Sequence, residues 1–261
     1  MMHGLNNSYL YAAKKIRVNL INEKEVIQLQ GTGFFVKKFN DLFLITNRHV
    51  VDPGYNNDDY KNFTIHEFCV EGFEETDASG IPHTVSDTKI LNFKNFKYHA
   101  NYFNDIACLK APVSPNGMKI ISALPYTLLA TNEWLKHELS VCDSIAYPGF
   151  PQWYDKKNNT PIFRMGTIAS DPRLNYSCFS NEPNADKIAY EGFSTSGASG
   201  SPVFATQRGF AIGNGLSASG DFYREVKLIG INAGHFKDQI GHSGISFFYK
   251  SSAILDIIDS I

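Results

Sequence analysis

Three short strings in this chain of 261 residues carry side chains of the kind that hydrolyse amides. Leu44-Ile45-Thr46-Asn47-Arg48-His49 is an apolar run that delivers a histidine at its end. Asn104-Asp105-Ile106-Ala107-Cys108-Leu109 sets an aspartate at the mouth of a second apolar run, and Ser196-Gly197-Ala198-Ser199-Gly200-Ser201-Pro202 flanks a serine with two glycines. Each has a plainer reading by itself: a structural histidine, a turn aspartate capping a strand, a tight turn. Together they supply a nucleophile, a base whose ordinary pKa of roughly 6.5 lies close to working pH, and a carboxylate to orient that base. The glycines around Ser199 would let successive amide N–H groups point at one spot and stabilise an oxyanion there.

Competing chemistries fit less well. An α/β-hydrolase elbow needs glycine two residues after its serine, where this chain has Ser201, and its triad runs in the reverse order. No HExxH occurs among the eight histidines, which argues against a zinc peptidase. Cys69, Cys108, Cys142 and Cys178 stand far apart with no CxxC pair, so buried free thiols are expected, and neither a metal nor a cofactor is. With 24 basic against 26 acidic side chains the net charge is −2, which gives no electrostatic case for nucleic acid or an anionic membrane. No apolar run approaches the roughly 18 residues of a membrane span. The opening residues Met1 to Ser8 lack a signal-peptide core, so a cytoplasmic location is expected. The remaining histidines (His3, His66, His83, His99, His137) and the pair Trp134 and Trp153 read as surface, loop or core residues.

The elements that must position the three strings are short and β-prone. Gly33–Val36, Leu42–Thr46, Asp105–Leu109, Ser144–Tyr147 and Leu228–Asn232 are nearly all apolar, as strands buried on both sides are, and Gly, Pro, Asn and Asp punctuate the intervals. Asp52–Asp59 and Asp155–Asn159 read as polar loops, and a turn-rich stretch from Ser114 makes a connector over 112–138. One helix is expected, at the end: Ser252 as N-cap, with Ile254, Ile257, Ile258 and Ile261 on one face. This spacing predicts an all-β fold closed by a C-terminal helix.

The strings GTGFFV (Gly31–Val36), LITNRHVV (Leu44–Val51), NDIACL (Asn104–Leu109) and SGASGSPVF (Ser196–Phe204) resemble the trypsin/chymotrypsin-like serine peptidases, closest to the bacterial Deg-type and related intracellular branches. The resemblance runs from about residue 30 to the C-terminus. It implies two packed antiparallel β-barrels with the active site between them: an N-terminal barrel over 1–120 with His49 and Asp105, a C-terminal barrel over 121–249 with Ser199, and a helix over 250–261. By position His49 is similar to the general base, Asp105 to the orienting acid and Ser199 to the nucleophile of an acyl-enzyme mechanism, with the amides of Gly197 and Ser199 as the oxyanion hole. The implied substrate is a protein or peptide. The same fold used without catalysis, as a peptide-binding or regulatory module, is the alternative reading.

Departures from the family bear on regulation and specificity. Ala198 stands where trypsin-like zymogens carry an aspartate that pairs with a freshly cut amino terminus, so cleavage should not be the activating switch. Val50 stands where extracellular members often have a cysteine, which agrees with a reducing compartment. Phe193, six residues before Ser199, resembles the base of the primary pocket, so no carboxylate waits there for Lys or Arg. Pocket walls would come from Asn232, Ala233, Gly234, His235, His242 and Gly244. An aromatic base would favour small or apolar side chains, while His235, His242 and Asn232 offer an alternative receptor for Glu or Gln. Ala233 falls where the family has a serine bonded to the acid, which would leave Asp105 one donor short. The 12 residues after position 249 leave no room for an appended module such as a PDZ-like domain. Targeting would then rest on loops, the N-terminal 30 residues or a separate protein partner or activator.

Overall fold

The structure, a computed structural model, describes residues 5–208 and 223–261 apart from 56, 79, 121, 239 and 240; His3 lies outside the described residues. A two-turn 3₁₀ segment, Asn7–Ala12, leads into β1 (Ala13–Ile21), β2 (Val26–Lys38) and β3 (Asp41–Thr46), followed by the single helical turn α1 (Arg48–Val51). Then come β4 (Thr64–Thr76), β5 (Pro82–Lys89), β6 (Lys97–Tyr98), β7 (Ala107–Lys110) and β8 (Leu124–Pro125). These strands form one curled sheet in the order β5-β4-β1-β2-β3-β7-β6, with β8 beside β2 in parallel. After α2 (Asn132–Glu138), the strands β9 (Ser144–Gly149), β10 (Ile162–Ile168), β11 (Lys187–Glu191), β12 (Pro202–Ala205), β13 (Lys227–Asp238) and β14 (Gly241–Lys250) close a six-stranded barrel, and α3 (Ser251–Asp259) ends the chain. The fold is all-β with a terminal helix, as expected. The first sheet's ladder stays open between β5 and the two-residue β6, so only the second unit is a hydrogen-bonded closed barrel among the described residues.

Burial explains why the β2 and β3 runs are apolar without alternation. Phe34, Val36, Phe43 and Ile45 point into a core shared with Phe204, Leu228, Ile231 and Tyr249 of the second unit. Their neighbours Phe35 and Leu44 point the other way, into the first unit's own interior with Val18, Phe68 and Leu109. Period-2 alternation therefore sends both faces into apolar surroundings. The shared core joins the two units across their seam.

Three further details differ from expectation, the exposure of two of the four cysteines among them. The last helix begins at Ser251, with Lys250 at the cap position and no side-chain cap; the Ser251 hydroxyl instead donates inward to the Ala130 carbonyl at 2.6 Å. Ala253, Ile254, Ile257 and Ile258 are buried, whereas Ile261 lies past the helix and is 36% exposed. The connector over 112–138 holds α2, whose N-cap Thr131 accepts from the Trp134 amide at 3.2 Å, with Glu133 in the first turn and Lys136 and His137 in the last. Those charges complement the helix dipole and were legible in the sequence. All four cysteines are free thiols: Cys69 and Cys108 are buried as expected, Cys142 and Cys178 are exposed. No helix among the described residues is long and apolar enough to cross a membrane.

Candidate active site

His49 is carried by the turn that stops β3. Asn47 ends the strand, and its side-chain amide donates to the Asp105 carbonyl at 2.7 Å, tying the end of β3 to the start of β7. Arg48 anchors the helical turn: its guanidinium lies 4.4, 4.3 and 4.6 Å from the ring centroids of Tyr55, Tyr98 and Tyr102, and Nε donates to Asp52 at 2.9 Å. That arrangement combines three cation–π contacts with an ion pair one helical turn away. It aims the next residue, His49, back across the sheet.

Asp105 sits behind His49. Its Oδ1 accepts from the His49 amide at 2.9 Å and its Oδ2 faces His49 Nδ1 at 2.5 Å. A carboxylate can only accept, so Nδ1 carries the proton and Nε2 keeps its lone pair. The Asp105 side chain is 5% exposed and that of His49 30%, so the pair is screened at the back and open at the front. Burial works against a charged imidazole, but the Asp105 charge and hydrogen bond outweigh it and hold the His49 pKa above its ordinary value. Burial and the same carboxylate push the nearby Tyr249 phenol up. Asn104, preceding Asp105, is locked to the second unit by a reciprocal pair: its Nδ2 donates to Asp186 Oδ2 at 2.7 Å and its Oδ1 accepts from the Asp186 amide at 2.8 Å.

The serine comes from the second unit on a loop that leans on the first. Thr32 of β2 donates its amide to the Ser199 carbonyl at 2.8 Å and its hydroxyl to the Gly197 carbonyl at 2.7 Å. Thr46, at the end of β3, donates its hydroxyl to the Thr32 carbonyl at 2.8 Å. One short chain of bonds therefore links the strand that delivers His49 to the loop that carries Ser199. Two glycines make the approach feasible. A Cβ on Gly197 (φ +89°) would lie 2.4 Å from the Phe150 carbonyl oxygen, and one on Gly200 (φ +89°) would lie 1.8 Å from that of Thr32. Among the described residues the amides of Gly197 and Ser199 donate to no protein acceptor, while those of Ala198 and Gly200 bond Thr195 and Asn232. Two unspent N–H donors beside a serine are what an oxyanion needs. The Ser199 hydroxyl itself donates to the Ala233 carbonyl at 3.2 Å.

Residues 31–213 match the trypsin-like peptidase domain family. The chain belongs to that family. No curated protein sequence matches it significantly. Among solved structures it is similar to the HtrA-type protease AlgW with tripeptide, at 17% identity and a TM-score of 0.55 over 97% of this chain and 60% of that one. It is also similar to AlgW with decapeptide, at 14% identity and a TM-score of 0.56 over 96% of this chain and 64% of that one. The chain thus spans about three fifths of the length of these structures, and the likeness is one of fold.

Within this trypsin-like frame the residues expected to form the primary pocket divide. Phe193 is no buried floor: the residue is 61% exposed and its ring lies against His242 at 4.9 Å, while Arg164 and Tyr147 donate to its carbonyl. His242 stacks in turn on His235, with centroids 4.4 Å apart and planes at 14°, so three rings form one layer. His242 Nδ1 accepts from the Gly244 amide at 2.9 Å, and its Nε2 lies 3.4 Å from the Ser246 hydroxyl. The Gly244 carbonyl accepts from Gly192, which leaves Gly244 as an open wall with nothing within 4 Å of its Cβ position. Gly234 pairs with Phe247 in the β13–β14 ladder. Asn232 is not a pocket wall. It is fully buried, and its carboxamide is spent on Tyr190, Ser194 and Ala198. Alternation along β13 turns it away from the face that Ala233 presents.

Sequence reasoning passed over Thr32, Thr46 and Asn47. The pattern Gly31-Thr32-Gly33, a polar residue between glycines ahead of a buried strand, was the available sign for the first. Nothing local marks the other two.

Proposed function

We propose that this chain is a serine endopeptidase whose nucleophile is Ser199, whose base is His49 and whose orienting acid is Asp105. The observation that carries this reading is the His49–Asp105 pair, held by two hydrogen bonds from one histidine to one buried carboxylate. The bond chain Thr46–Thr32–Ser199 supports it by linking the nucleophile's loop to the same strand end.

Chemistry follows from these groups. Rotation about the Ser199 Cα–Cβ bond takes its hydroxyl from the Ala233 carbonyl toward His49. Oγ attacks the scissile carbonyl carbon as its proton passes to Nε2, and the amides of Gly197 and Ser199 stabilise the oxyanion. Collapse expels the amine, which leaves with the Nε2 proton, and an acyl-enzyme remains. Water then loses a proton to Nε2 and attacks the ester, and Ser199 Oγ departs with that proton. Asp105 stays ionised throughout and holds the tautomer. The substrate is a peptide, in keeping with the tripeptide and decapeptide held by the AlgW structures.

Specificity is non-tryptic, with an apolar preference. The layer Phe193–His242–His235 presents ring faces, both nitrogens of His242 face protein groups, and Asn232 is withdrawn. The Ser199–Ala233 bond favours the second reading, a non-catalytic peptide-binding module, because there the hydroxyl is already satisfied. A fluorophosphonate serine probe separates them. Covalent labelling of the native chain, lost in Ser199→Ala, is the expected result. A folded native chain that stays unlabelled from pH 6 to 9 overturns the enzyme reading.

A further inference from the structure

The loop over 193–201 contains no charged side chain, and Ala198 next to the serine cannot form an ion pair. Something else must keep its amides aimed. The strongest local observation is Asn232, fully buried on β13, with five hydrogen bonds of which four reach this loop. Its backbone accepts from Gly200 and donates to Ser201, both at 2.8 Å. Its Nδ2 donates to the Ser194 hydroxyl and to the Ala198 carbonyl, both at 2.9 Å, and its Oδ1 accepts from the Tyr190 phenol at 2.7 Å.

The orientation of that carboxamide is forced. A carbonyl only accepts, so the atom facing Ala198 must be the NH₂ group, and Tyr190 completes the other side. The consequence for the site comes from peptide geometry. In a planar trans peptide the C=O of one residue and the N–H of the next point in opposite directions. The Ala198 carbonyl accepts from Asn232 Nδ2 at 2.9 Å and, more weakly, from the Ser201 amide at 3.2 Å, and holding it there fixes the Ser199 N–H on the opposite side. That N–H is one of the two unspent donors beside the nucleophile. A flip of this single peptide would turn it into a buried orphan and present a carbonyl oxygen, a repulsive group, to an oxyanion.

We propose that Asn232 is a positioning residue that aims the Ser199 amide into the oxyanion hole, doing with a neutral, buried carboxamide what a charged pair would otherwise do. This rests on the peptidase reading above. The hole is then preassembled in the free protein, with no ion pair in its support.

The test compares the native chain with Asn232→Asp, which keeps the shape and replaces both donors by an acceptor. Three quantities are read: turnover of fluorescein-labelled casein against pH, the burst of p-nitrophenyl acetate acylation per fluorophosphonate-titratable serine, and hydrogen exchange over 194–201. The expected result is a plateau turnover and a burst rate lower by about 10²-fold, the scale for losing one oxyanion donor. The midpoint of the His49 limb should stay in place, and exchange protection should fall at the loop while the β9–β14 barrel keeps its own. If Asn232→Asp does not fold, Tyr190→Phe is read by the same measures, with an expected loss of about tenfold as the carboxamide loses its fixed side. A folded variant with turnover within threefold of native and unchanged loop protection overturns the proposal. Should the native chain prove unreactive to the probe, the peptidase reading fails. The exchange comparison then decides the clamp by itself: lost protection supports it, and retained protection sinks it.

Discussion

Thr32 reaches across the seam between the two units and donates its hydroxyl to the carbonyl of Gly197, at 2.7 Å. The same oxygen accepts from the Phe150 amide at 3.2 Å, and the Thr32 amide donates to Ser199. One buried side chain thus ties the first sheet to the oxyanion loop and to the segment after β9. Replacing it by Thr32→Val keeps the shape and orphans a buried carbonyl and amide. Stability should fall by about 1–3 kcal/mol in denaturant titration. Casein turnover should fall by more than tenfold per titratable serine; unchanged turnover would show the seam bond to be irrelevant to chemistry.

Gly200 approaches the same strand. Its Cβ position lies 1.8 Å from the Thr32 carbonyl oxygen and 2.8 Å from the Thr46 hydroxyl, at φ +89°. Gly200→Ala must push the serine loop away from β2 or not fold, at a cost of about 3 kcal/mol or more. The check is the melting temperature together with fluorophosphonate labelling. A folded alanine variant that labels at the native rate contradicts the close packing.

Acting as the proposed base requires a neutral His49, and Asp105 raises its pKa. Casein turnover should therefore rise with pH, with a midpoint above the ordinary imidazole value of 6.5, and level off beyond it. Asp105→Asn should lower turnover by about 10⁴-fold, the size found when a triad carboxylate is neutralised. A profile flat from pH 5 to 8 would remove His49 from the mechanism.

The same shift has a consequence for stability. A histidine whose pKa is raised on folding contributes stability that is fully present below its unfolded value and is lost as pH rises through its folded value. The stability gap between the native chain and Asp105→Asn should accordingly be wider at pH 5.5 than at pH 9. Denaturant midpoints measured at both values report it, and an equal gap would contradict the ion pair.

Ala198 has no carboxylate for a newly cut amino terminus to meet, and the N-terminal 3₁₀ segment packs on the second unit, with Tyr9 5.0 Å from Phe204. A bulky N-terminal tag should leave casein turnover unchanged. Activity that appears only after the tag is removed would restore cleavage as a switch.

Much of this was legible before any fold was known. The apolar runs of β2, β3, β7, β9 and β13 announced strands because their β-branched and aromatic side chains pack on both faces of a sheet. His49, Asp105 and Ser199 stood out because few other residue sets hydrolyse an amide. Less visible were groups whose role lies in what they touch. Thr32, Thr46 and Asn47 have common side chains in unremarkable positions, and only the tertiary contacts they make, to Gly197 and Ser199, to Thr32 and to Asp105, set them apart. Phe193 and Asn232 were misjudged because chain position does not say which way a side chain faces after a loop of unmatched length. The helix α2 was overlooked within a turn-rich connector, although Thr131 and Glu133 mark its start.

Composition and spacing alone determined the chemistry on offer and the all-β class, since these depend on residue type and local periodicity. The folded chain decided the rest. Whether a carbonyl is bonded to Asn232 or an amide is left unspent for an oxyanion depends on distances between residues far apart in the chain, and those distances exist only once both units have closed on their shared core.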